Sequence, residues 1–202
     1  MSNDTNDKFH IRETIENWVI FRDSGNWDRF RGLWHEGARM HTTWFRGSVD
    51  DFIAHARKSF ERGAIGAHFL GGSSIELVGT RAIAQTKKRI DSRQTVEGVA
   101  CDVICIGRFY QFFEQRAGRW AIVLHQGIYE KDRIDPVDPA AKLALDQTLL
   151  AEFTEGYRHL AYVQTKAGLK VKRDLPGLHG AAVERLYAAG AAFLAGGPAE
   201  YE

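Results

Sequence analysis

The usual signatures of nucleotide, acyl-enzyme and metal chemistry are missing from this sequence: no Walker A or GxGxxG loop, no GxSxG elbow, no HExxH helix and no CxxC pair. Its eight histidines include no HxH or HxxxH pair, so a metal site would have to be gathered from distant positions. Metal, nucleotide and acyl-enzyme mechanisms therefore draw little support from the sequence. Cysteine is scarce as well. Cys101 and Cys105 stand four apart on one face of an expected strand, where a bridge between them would be badly strained, so both should be reduced and buried. An excess of one charge is also absent, with 27 Lys plus Arg against 26 Asp plus Glu, and so is the field that attracts nucleic acid or an anionic membrane. No apolar run nears the ~18 residues of a membrane span, and "MSNDTNDKF" is polar where a signal peptide would turn apolar. A cytoplasmic chain with no nucleic-acid or membrane partner is expected.

What is present reads as helices, then strands, then helices. Ile11, Ile15, Trp18 and Val19 form the buried stripe of a helix over residues 9–23 that stops at Gly25, and Asn26 can cap a short helix "WDRFRGLW". A strand "ARMHTTWF" follows, then a helix capped by Ser48 with Asp51, carrying Val49, Phe52, Ile53, Ala56 and Phe60 and ending at Gly63. From residue 65 to about residue 133 four long β-like segments are divided by "VGTR", "SRQTVEGV" and "QRAGRW", the pattern of an antiparallel meander. Beyond "DPVDP", Asp138 and Pro139 open what reads as one long helix through "AAKLALDQTLLAEFTEGYRHLAYVQTKAG", and a second helix lies in "AAVERLYAAGAAFLAG". The expected fold is α+β, a curved antiparallel sheet with three helices of the N-terminal half packed on it. Residues 1–135 would form that domain, and residues 136–202 a helical extension serving as interface or pocket lid.

Two residues carry a possible chemistry. Steps of four from Ile15 and Val19 lead to Asp23, a carboxylate on the buried stripe in the last helical turn, where the macrodipole disfavours an anion. His68, in "GAIGAHFLGGSSIEL", is a titratable ring among small and apolar strand residues. Each needs a partner, and a carboxylate accepting from one ring nitrogen would leave the other free to take a proton. On spacing alone, a lone strand histidine is more often a satisfied structural residue.

The segments "WVIFRDSGNWDRFRGLW", "GAHFLGGSSIEL" and "GRFYQFFEQRAGRWAIVLHQGIYEKD" together resemble the SnoaL-like branch of the nuclear-transport-factor-like superfamily, and most of all the group of hexachlorocyclohexane dehydrochlorinase and scytalone dehydratase. The resemblance spans about residues 9–133. It implies a cone-shaped sheet around an apolar pocket, frequent assembly as homotrimers, cofactor-free proton transfer, and a catalytic Asp and His at the positions of Asp23 and His68. Departures from the pattern concern the group that would stabilise negative charge on the substrate. Scytalone dehydratase-like enzymes use tyrosines, but here Arg22 precedes Asp23 and the first strand offers His41, Thr43 and Trp44. The candidate substrate-binding residues are Trp44, His41, Arg108, Tyr110, His125 and Tyr129, with strand parity pairing Arg108 with Tyr110 and His125 with Tyr129.

The leading expectation is therefore a cofactor-free lyase or isomerase for a small apolar, aromatic or alicyclic molecule, with His68 as base and Asp23 orienting it. Two competitors share the fold: a non-catalytic ligand-binding or oligomerisation module, and a structural protein like an oxygenase β-subunit.

Overall fold

Tight turns organise the sheet. Glu97 and Gly98 have φ of 47° and 81°, and Ala117 and Gly118 have 49° and 78°, so each pair closes a two-residue hairpin whose twist matches the right-handed twist of its strands. The chain is seen in a computed structural model that describes residues 3–64 and 66–201. Three helices and two short strands come first: α1 (Asn3–Asp23), α2 (Trp27–Gly32), β1 (Trp34–His41), β2 (Arg46–Ser48) and α3 (Val49–Glu61). The meander is β3 (Gly66–Val78), β4 (Arg81–Val96), β5 (Val99–Arg116) and β6 (Arg119–Pro136), followed by α4 (Gln147–Ala151), α5 (Arg158–Lys166) and α6 (Ala181–Leu194). The six strands lie in the order β2-β1-β6-β5-β4-β3, an unclosed curved sheet. All pairings are antiparallel except β1 with β6, which is parallel.

The expected caps are formed: Ser48 accepts from the Asp51 amide at 3.1 Å, and Asn26 accepts from the Arg29 amide at 3.4 Å. Ile11, Ile15, Trp18 and Val19 are buried against the inner sheet face with Phe109, Phe113 and Ile122. That cluster excludes water from the region where α1 ends.

The structure corrects two expectations. The first strand occupies Trp34–His41 rather than residues 38–45, because the Thr42 amide donates to the Phe45 carbonyl at 2.8 Å and turns the chain back into β2. The long helix after Pro139 does not form. Asp138 closes a local turn on the Ala140 amide at 2.9 Å, while Asp146 caps α4 by accepting from the amides of Thr148 and Leu149. Gly156 then lies so near β6 that a Cβ there would fall 2.3 Å from the Tyr129 carbonyl oxygen, and close docking on the strand separates α4 from α5.

The C-terminal helices take both faces of the sheet. Leu150, Phe153, Tyr157, Leu160 and Val163 pack with Cys101, Val103, Cys105 and Tyr129 on the inner side. On the outer side, Val183, Leu186 and Phe193 of α6 cover Ile83, Tyr110, Phe112 and Leu124. Both cysteines are free and buried.

Candidate active site

Asp23 is the last residue of α1, and His68 is the third of β3. Their side chains meet: Asp23 Oδ1 lies 2.7 Å from His68 Nδ1, and Asp23 Oδ2 accepts the His68 backbone N–H at 2.6 Å. Two N–H donors thus offset the unfavourable helix end and fix the carboxylate in one orientation. With Nδ1–H donated to Asp23, Nε2 carries the lone pair. Trp18 meets the His68 ring edge-on at 5.3 Å and 82°. The imidazole keeps only 10% of its side-chain exposure. Desolvation pulls its pKa below the usual value, against the raising effect of Asp23, so the ring is neutral near pH 7.

Strand register gathers further polar side chains on the same face. His68 pairs with Ile90, Lys88 with Gly107, Phe109 with Gly127, and Gln111 with His125, and residues directly opposite one another point to the same side. His125 stacks on Trp18 at 5.2 Å and 6° and packs edge-on to Phe109 at 4.8 Å. Burial holds its pKa well below the ordinary imidazole value, with Lys88, His41 and His68 adding to the effect. Lys88 is 3% exposed, with its Nζ 4.5 Å from the centre of the Tyr129 ring.

Buried polar atoms in folded proteins are nearly always hydrogen-bonded. Here Trp18 Nε1, Trp34 Nε1, Lys88 Nζ, His125 Nδ1 and both amide atoms of Gln111 have no partner among the described residues. Trp18 touches the rings of both His68 and His125, and Trp34 lies 6.3 Å from His125, so the indole and imidazole atoms belong to one connected region. Among the described residues no group of three or more His, Cys, Asp or Glu side chains is placed to hold a metal.

The sequence candidates divide by face. His125 and Tyr129 share the inner face with His68, as parity requires, and burial raises the Tyr129 hydroxyl far above its usual pKa. Arg108 and Tyr110 share the outer face, which turns them away from His68: Arg108 Nε donates to Glu130 at 2.5 Å, and Tyr110 packs on Tyr187 at 5.6 Å, with its pKa raised to about 12 by burial. His41 is also outward, paired in register with Gln126, and desolvation lowers its pKa to about 4. Trp44 sits in the bend after β1 and stacks on Phe52 of α3 at 5.9 Å, so it walls α3 rather than the dyad. Strand parity and the turn at Thr42 place these four away from the dyad. Lys88 and Gln111 carry no local signal of a site, and Trp18 reads from its spacing as core. In "AIAQTKKRI" the alternation of Ala82, Ala84 and Thr86 already points Lys88 inward, because one of two adjacent strand lysines must face each side.

Among known proteins, a family model described as "SnoaL-like domain" matches residues 3–124. Pea pathogenicity protein 2 of Fusarium vanettenii is 39% identical over 175 residues, 85% of this chain and 75% of that protein. An uncharacterized protein of Emericella nidulans is 33% identical over 176 residues, 83% of this chain and 74% of its own. The solved structure of a hexachlorocyclohexane dehydrochlorinase, LinA type 2, superposes with a TM-score of 0.57 at 13% identity, covering 70% of this chain and 95% of that one. A scytalone dehydratase-like protein from Novosphingobium aromaticivorans does so with a TM-score of 0.56 at 14% identity, covering 70% and 97%. At such identities the structural likeness is one of fold.

Proposed function

This chain belongs to the SnoaL-like domain family, and from that premise we propose that it is a cofactor-free lyase or isomerase whose base is His68, oriented by Asp23. The observation that carries the reading is the 2.7 Å contact between Asp23 Oδ1 and His68 Nδ1, which leaves Nε2 on a face of unpaired polar atoms. In the proposed reaction Nε2 removes a proton from a carbon beside a carbonyl or leaving group, and Asp23 stabilises the imidazolium that results. The electron pair of the broken C–H bond then expels a leaving group, shifts a double bond, or takes part in carbon–carbon cleavage. The substrate is a small aromatic or alicyclic molecule, complementary to the aromatic rings of Trp18, Phe109 and His125. Self-assembly as a homotrimer belongs to the same reading, and a monomer by multi-angle light scattering would remove it.

The test is proton exchange. Cyclic ketones and β-substituted carbonyl compounds are incubated in D2O with the protein and followed by proton NMR. Wild type should accelerate loss of the α-proton signal, and both His68→Ala and Asp23→Asn should slow it by roughly 10²- to 10⁴-fold with the circular dichroism spectrum unchanged. Exchange at the wild-type rate in either variant removes the dyad as the base.

One contact favours a second reading, a ligand-binding module in which the pair is structural. The bond from the His68 backbone to Asp23 Oδ2 ties the end of α1 to the start of β3 whatever the ring does. If tying is its whole role, Asp23→Asn lowers the melting temperature clearly while no exchange is found even in wild type.

A further inference from the structure

Lys88 is a buried amine that the proton-transfer reading does not use. Its ammonium nitrogen is buried with no hydrogen-bond partner among the described residues, an arrangement that costs stability unless something completes it. The groups that face it are few. Tyr129 of β6 presents its ring at 4.5 Å, and Cys105 of β5 is a thiol whose pKa burial pushes up to about 11, so it stays protonated and neutral near pH 7. His68 and His125, both of which sense its charge, are themselves held neutral. Among the described residues, Glu130 is the carboxylate that raises its pKa. That side chain is engaged on the outer face, accepting from Lys87 Nζ at 2.7 Å and Arg108 Nε at 2.5 Å. Two carboxylates share this face, but Asp23 is engaged by His68, and Asp132, opposite Cys105 in register, accepts from His159 Nδ1 and the Leu160 amide, each at 2.8 Å, so neither hydrogen-bonds the Lys88 amine.

We infer that Lys88 is an anion-binding group, and that the ligand of this face carries one acidic oxygen, of a phenol, an enol or a carboxylic acid, held as its anion against the Lys88 ammonium. In this inference the ring of the ligand packs beside Trp18, Phe109 and His125, and its oxygen takes the open hydrogen-bonding position of the Lys88 amine. This deepens the proposed reaction, since the oxygen that gains charge when a proton leaves the neighbouring carbon is the one Lys88 stabilises. The inference rests on that reading for the identity of the site, but binding of an anion does not require His68 to act as a base. Burial lowers the Lys88 pKa, so affinity for the anion is present at lower pH and declines as the amine loses its proton.

The experiment uses 4-nitrophenol, whose phenol and phenolate differ in visible absorption, and the full chain at the pH where the probe is half-ionised in water. Wild type should bind the probe and raise the phenolate band, as should the exposed-lysine control Lys170→Met. In Lys88→Met the band should not rise, and binding should weaken by roughly 10- to 100-fold. The melting temperature of Lys88→Met should equal or exceed that of wild type, because an unpaired buried charge has been removed. Lys88→Gln provides the same comparison if the Met variant does not fold. No binding to wild type, a fall in the phenolate band, or equal phenolate binding by wild type and Lys88→Met would overturn the inference. Proton exchange abolished by His68→Ala alongside unchanged phenolate binding in Lys88→Met leaves the dyad standing and removes the role of Lys88 alone.

Discussion

His125 illustrates how one buried ring couples to acidity. Its imidazole stacks on Trp18 inside the sheet, and desolvation lowers its pKa well below the ordinary value near 6.5. His68 is lowered for the same primary reason. Below about pH 6.5 the unfolded chain binds protons that these folded rings refuse, so the unfolded state holds more protons and stability falls as pH falls toward the folded values. Calorimetry between pH 7 and 5 should show a decline in melting temperature, and His125→Phe should flatten it by removing one contributing ring. An equal decline in that variant would show that His125 does not contribute. His68 itself was visible in the sequence as a polar residue on an apolar strand. Lys88 was less visible, because a lysine beside another lysine looks solvated until pleat direction is assigned.

Helix and strand signals were legible where they were local. Asn26 and Ser48 cap as their spacing indicates, and the hairpin turns fall at the Gly98 and Gly118 positions. The region after Asp138 forms two helices where the sequence pattern indicates one, because apolar periodicity continues through residues 147–166 although the chain breaks at Gly156. That break is a long-range effect of β6. Gly156→Ala would drive a methyl group against the Tyr129 carbonyl, and the expected loss is about 1–3 kcal/mol in urea denaturation. A loss below about 0.5 kcal/mol would mean that the close approach relaxes easily. Strand parity was also legible in part: it correctly paired Arg108 with Tyr110 and His125 with Tyr129, but parity says which residues share a face and not which face is inside.

At the scale of the molecule, α6 covers the outer face of its own sheet. Phe193 is fully buried and meets Phe112 edge-on at 5.2 Å, while the Arg81 guanidinium lies 4.7 Å above its ring and donates to its carbonyl at 2.7 Å. Phe193→Ala should cost about 3–5 kcal/mol by urea denaturation, the range for a large ring removed from a packed core. A cost under ~1 kcal/mol would make α6 a loosely attached cover. The same covering brings Arg108 and Tyr110 against Tyr187 of α6, at a place no local pattern could reveal. The linear sequence by itself determined what depends on neighbours along the chain: the α1 stripe, the helix caps, the four-strand meander, and the pair of residues most in need of each other, Asp23 and His68. Only the tertiary structure decided what depends on distant packing. It selected the inner face, set the carboxylate 2.7 Å from the ring, and placed Lys88 on that face without a hydrogen-bond partner among the described residues. The physical reason is that periodicity records which side of an element avoids water, whereas a site is made where several such sides meet.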